Sequence, residues 1–116
     1  MKIAYLAHPY TDDPMRNYLA VTDLAARLQQ EHPDVLVFSP VHAFVYLARV
    51  PMPEQHEMAM QNCQEMMRLL NTAKSASPFY WLDDVELWLA PGWEKSQGCR
   101  EEKYFAECMG WKVVEL

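Results

Sequence analysis

The stretch Val85-Glu86-Leu87-Trp88-Leu89-Ala90-Pro91-Gly92-Trp93-Glu94-Lys95-Ser96-Gln97-Gly98-Cys99-Arg100-Glu101-Glu102 decides how the chain folds. Val85 to Ala90 reads as a strand bounded by Pro91-Gly92. Gly98 or Cys99 begins a helix that runs to Met109, with Gly110 as its stop signal. Trp111 to Glu115 follows as another strand. Strand, helix and strand in so short a span predict a parallel pair joined by a crossover helix.

The same alternation extends toward the N-terminus. Ile3 to Ala7 reads as a strand stopped by His8-Pro9, and Asp12-Asp13-Pro14 as a helix start, with an Asp cap and proline at the first helical position. Tyr18, Leu19, Ala25 and Leu28 carry that helix to about Glu31, where His32-Pro33-Asp34 breaks it. Val35 to Phe38 is a further strand, ended by Ser39-Pro40, and Val41 to Pro53 is apolar and irregular. Glu54 to about Lys74 is the longest helix, followed by a loop at Ser75-Ala76-Ser77-Pro78. Met52, Met58, Met60, Met66 and Met67 lie in that helix or at its edge. Soft methionines there suit either subunit association or ordinary core packing. The expectation is an α/β protein with one domain over residues 1–116, a flavodoxin-like (Rossmann-like) parallel sheet of four to five strands with helices on both faces. Ligands bind such sheets beyond the carboxyl ends of the strands. The loops there are His8 to Asp13, Ser39 to His42 and Pro91 to Gly98.

Composition narrows the function. Ten Lys+Arg against sixteen Asp+Glu give a formal charge of −6, without the basic stripe that a nucleic-acid surface needs. No apolar run approaches the roughly 18 residues of a membrane helix, and the start lacks a signal-peptide layout, so a cytoplasmic chain is expected. Cys63, Cys99 and Cys108 are odd in number and form no C-x-x-C pair; the four histidines show no H-x-x-x-H spacing. Neither a disulfide framework, a bound metal nor a cofactor is expected. Lys95-Ser96 lacks the upstream glycines of a P-loop.

One residue breaks the amphipathic pattern of the last helix. With about 100° per residue and Cys99 at zero, Phe105, Met109 and Ala106 define an apolar face between about 240° and 340°. Arg100, Lys103 and Glu107 fall on the solvated side. Glu102 falls at about 300°, in the middle of the apolar face, while Glu101 lies at its margin. A carboxylate aimed at a sheet is costly unless paired or used. Glu102 therefore serves either chemistry at the loop-rich mouth or the free backbone donors of the helix start. Ahead of it, the loop into the helix N-terminus offers unsatisfied N–H groups that favour an anion such as phosphate. Ser96 adds a hydroxyl there, as ligand donor, helix cap or both, and Gly98 permits close backbone approach.

These residues carry a family resemblance. Ile3-Ala4-Tyr5-Leu6-Ala7-His8-Pro9-Tyr10-Thr11, Arg16-Asn17, Phe38-Ser39-Pro40 and the long motif from Leu89 to Glu102, followed by Ala106 and Gly110, together resemble the nucleoside 2-deoxyribosyltransferase superfamily, in particular its short bacterial and phage branch. The match spans nearly the whole chain, and the long motif is its most specific part. The resemblance implies cleavage of an N-glycosidic bond. Glu102 matches the family's nucleophile and Tyr5 the tyrosine that orients it. His8, Pro9, Tyr10 and Thr11 occupy a loop that lines the pocket in relatives, with His8 in place of a small residue. Ser96 matches the serine of the nucleotide hydrolases, which contacts the 5′-phosphate; the transferases carry Asp there. A (deoxy)nucleoside 5′-monophosphate with water as acceptor is thus favoured over base exchange, and no separate cofactor is implied. Arg100, standing where the characterised hydrolases have a second glycine, is either an anion-binding candidate or a solvated side chain, and Trp93 either stacks on the base or packs. Tyr80, Trp81 and Trp88 are further aromatics for stacking or packing. The resemblance also implies a homo-oligomer, a dimer or higher, because relatives complete their sites across subunits.

One departure stands out. The family's assisting Asp lies about eight residues before the acidic residue that opens the third strand. Counting back from Asp83 reaches Ser75, and from Asp84 reaches Ala76; Glu65, Asn62 and Asp83 are the substitutes within range. Without such an acid, a nucleotide-binding module with little catalysis is the alternative. An interaction protein built on the Met-rich helix, with Glu102 only capping, is another.

Overall fold

The structure is a computed structural model that describes residues 1–75 and 82–116. The loop 76–78 and the aromatics Tyr80 and Trp81 lie outside the described residues. The elements alternate as β1 (Lys2–Ala7), α1 (Pro14–Glu31), β2 (Val35–Phe38), α2 (Pro40–Ala43), α3 (Glu54–Ser75), β3 (Asp84–Leu89), α4 (Gln97–Cys108) and β4 (Lys112–Glu115). The strands form one sheet in the order β2-β1-β3-β4, every neighbouring pair parallel. Four strands and helices on both faces make this the Rossmann-like α/β architecture expected from the alternation. Val41 to Pro53 is more ordered than its composition suggests: it holds most of α2 and a 3₁₀ turn at Val45–Arg49.

β1 and β3 are central, and the five residues after the first of each strand are buried. Strands covered on both faces need apolar residues at every position. On one face Tyr5, Ala7, Val85, Leu87 and Leu89 meet Met67 of α3 and Cys99 and Ala106 of α4. On the other, Ala4, Leu6 and Trp88 meet Val21 and Leu28 of α1. Glu86 is the polar exception in β3. It is buried, yet it accepts from Trp88 Nε1 at 3.0 Å and pairs with Lys2 at 2.9 Å, so its charge is matched. The methionines differ in burial. Met67 is wholly buried and Met66 packs against the core, whereas Met52 and Met58 are exposed.

Local chemistry sets the element ends. Asp13 accepts from the Arg16 N–H at 3.4 Å and Pro14 opens α1. Ser39 caps α2 and Ser96 caps α4, so the turns at the carboxyl ends of β2 and β3 both enter a helix through a serine. Gly110 follows α4 with φ at +74°, a conformation that costs little only for glycine. Among the described residues no helix is long and apolar enough to cross a membrane.

Candidate functional site

Glu102 is 8% exposed and sits on the inward face of α4, as the helical wheel places it. Among the described residues its Oε2 has no hydrogen-bond partner, and neither has the buried hydroxyl of Tyr5. Tyr5 projects from β1 onto the same side of the sheet, its ring held between Phe38 at 5.7 Å and Trp111 at 6.4 Å between centroids. That packing brings its hydroxyl beside Glu102 and the Cys63 thiol, close enough for each group to influence the others' ionisation.

Burial lifts the Glu102 carboxyl from its usual 4.5 to about 7; the Tyr5 hydroxyl pulls it down and the neighbouring Glu101 charge pushes it up. Burial also drives the Tyr5 phenol well above its ordinary value, and the carboxylate adds to this. The Cys63 and Cys99 thiols are both pushed up to about 12, mainly by burial and then by the same carboxylate. Of these four groups, Glu102 is the one that ionises near neutral pH. A carboxylate poised there, with an unpaired oxygen in a desolvated wall, has the properties of a nucleophile or proton-transfer group.

The unpaired oxygen belongs to a residue that lines a cavity of about 270 Å³ at the carboxyl ends of the strands. His8, Tyr10 and Thr11 enter it from the loop after β1, and Ser96, Gly98 and Cys99 from the start of α4. The first turns of α3 contribute Gln55, His56, Ala59, Met60 and Cys63, spaced so as to share one helical face. Val41, Phe44, Val45 and Leu47 form an apolar wall supplied by α2 and the 3₁₀ turn. Met60 Sδ lies 3.5 Å from where a side chain at Gly98 would begin, so α3 and the start of α4 approach closely there. Ser96 Oγ accepts from the Cys99 N–H at 3.3 Å while the residue also lines the cavity, which makes it cap and wall at once.

The remaining expected site residues are placed differently. Tyr5 stands behind the wall and reaches the site through Glu102 and Cys63. Pro9 contributes its carbonyl, which accepts from His8 Nδ1 at 2.7 Å. Trp93 lies outside the cavity: its Nε1 donates to Glu115 at the end of β4 at 3.0 Å, with the Lys103 ammonium 5.6 Å from the ring centre. Arg100 is also outside. On the solvated side of α4, its guanidinium donates to the Glu94 carbonyl at 2.7 Å. Trp88 is buried on the α1 face and bonded to Glu86, so it too is turned from the cavity.

None of the substitutes for the family's assisting Asp lines the cavity. Asp83 pairs with the N-terminal ammonium at the opposite end of β3, Glu65 pairs with Arg68, and Asn62 is not a wall residue. Sequence reading missed Gln55, His56, Cys63 and Phe44. The spacing of His56, Met60 and Cys63 marks a common stripe, but only packing shows what it faces. Among the described residues no cluster of His, Cys, Asp or Glu could hold a metal ion, and no Lys or Arg lines the cavity. No family model matches the chain, and no curated protein or solved structure does either.

Proposed function

We propose that this protein hydrolyses the N-glycosidic bond of a (deoxy)nucleoside 5′-monophosphate through a covalent glycosyl-enzyme on Glu102. The observation that carries the reading is the buried carboxylate with an unpartnered oxygen in the wall of a sugar-sized cavity. In its ionised form Glu102 attacks the anomeric carbon and the base departs. Water then releases the sugar with retention of configuration. Tyr5 orients the carboxylate and favours its charged form. The N-terminus of α4 and Ser96 suit the 5′-phosphate, and the wall at Val41 and Phe44 suits the flat face of a base. The implied oligomer belongs to the same proposal, with the exposed Met52 and Met58 as its available surface. The test is incubation with the common ribo- and deoxyribonucleoside monophosphates and chromatography of released base. Release that persists unchanged in Glu102→Ala refutes the proposal.

A second reading has a specific observation in its favour. A cavity wall without Lys or Arg favours an uncharged substrate, hence base exchange between free nucleosides as in the transferases. Transfer of deoxyribose from one unphosphorylated nucleoside to a second base, faster than hydrolysis of any monophosphate, would select it.

A further inference from the structure

Departure of a nucleobase leaves an electron pair on a ring nitrogen, and the reaction is slow unless a proton arrives with it. Glu102, as nucleophile, cannot supply that proton, and no Asp or Lys lines the cavity. The thiols of Cys63 and Cys99 are buried beside Glu102, and the carboxylate opposes their ionisation. The Tyr10 phenol and two imidazoles, His8 and His56, remain in the wall, and of these side-chain types imidazole is the one suited to both give and take a proton near neutral pH.

Their settings differ. His8 Nδ1 donates to the Pro9 carbonyl at 2.7 Å, which fixes the ring and leaves Nε2 as the nitrogen open to a substrate. Among the described residues His56 has no such anchor. His56 also lies one helical turn from Met60, whose sulfur fills the space that a side chain at Gly98, in the first turn of α4, would enter. One turn of α3 before that packing point, His56 is assigned to the phosphate side of the cavity. In a nucleotide, base and 5′-phosphate leave the sugar from different carbons, so a residue at the phosphate end is badly placed to serve the base. His8 enters by a separate loop.

Resting on the glycosidase reading, we propose that His8 is the catalytic acid for base departure and the base in the hydrolytic half-reaction. Its Nε2–H passes a proton to the base nitrogen while the C–N bond breaks, the bonding pair moves to the base, and a Glu102 oxygen bonds the anomeric carbon. Water then attacks that carbon, giving a proton to the neutral Nε2. Glu102 departs as carboxylate, and the starting protonation is restored.

The experiment compares two leaving groups: the monophosphate turned over fastest in the panel, and the 4-nitrophenyl glycoside 5-phosphate of the same sugar, whose nitrophenolate leaves without a proton. His8→Asn should lower kcat/KM on the nucleotide by about 10²- to 10⁴-fold and on the nitrophenyl substrate by less than about tenfold. The second substrate also reports whether the variant is folded. Equal losses on both substrates, or no loss on the nucleotide, overturn the assignment of His8 alone. So does the same leaving-group selectivity appearing in His56→Asn instead. A wild-type protein inactive on both substrates overturns the glycosidase reading and the His8 assignment together.

Discussion

Replacing Glu102 by Gln keeps the size of the side chain and removes its charge, which makes it a direct probe of the buried carboxylate. Glu102 binds its proton more tightly in the folded protein, at about 7, than at its usual 4.5. The sign follows: the group's contribution is most favourable below 4.5, declines as pH rises through the interval, and above 7 is a constant cost of ~3 kcal/mol. Glu102→Gln should therefore be more stable than wild type by under ~1 kcal/mol at about pH 5, ~2 kcal/mol at about pH 6 and ~3 kcal/mol at about pH 8. The last figure corresponds to a melting shift on the order of 10 °C for a chain of this size. Urea unfolding followed by tryptophan fluorescence across that range measures it. A variant no more stable than wild type at the alkaline end, or a difference that does not change with pH, would show that the carboxylate is solvated or matched by a charge. The argument from a desolvated nucleophile then fails. Loss of base release in the same variant would place the stability cost and the function in one side chain.

Further outcomes follow from the same geometry. With the nitrophenyl substrate, kcat/KM should rise with pH through about 7 as Glu102 ionises, and Tyr5→Phe should move this limb upward because the phenol lowers the carboxyl pKa; an unmoved limb argues against the contact. Ser96→Asp keeps a good helix cap but sets a charge at the proposed phosphate position. KM for the monophosphate should rise about tenfold or more while that for the free nucleoside stays within about twofold. Equal effects on both would remove phosphate from that end of the cavity. Ser96→Ala should cost about 1 kcal/mol of stability through the lost cap, measured by urea unfolding.

Much of this molecule was legible because its signals are local. Asp13-Pro14, Ser39-Pro40 and Gly110 mark element ends through their own backbone chemistry, and the strand-helix alternation predicts the parallel sheet. Glu102 stood out on a helical wheel because periodicity is a property of one helix. The wall was less readable. Trp93 sits in a loop at the correct end of the sheet, yet its indole is held by Glu115, 22 residues away, and so leaves the site. Arg100 has the charge for an anion, but its place on the solvated side of α4 directs it to the Glu94 carbonyl.

By itself the sequence determined the order of elements, the parallel sheet and the inward direction of one carboxylate, all consequences of backbone preference and helical or strand period. Tertiary structure decided which surfaces meet: Met60 and Cys63 of α3 face the start of α4, the apolar turn after β2 becomes part of the wall, and Tyr5 comes to lie beside Glu102. A helix presents the same stripe wherever it docks. Only close packing between distant segments turns such stripes into a cavity, and only that enclosure removes the water that would otherwise hold the carboxylate at its ordinary acidity.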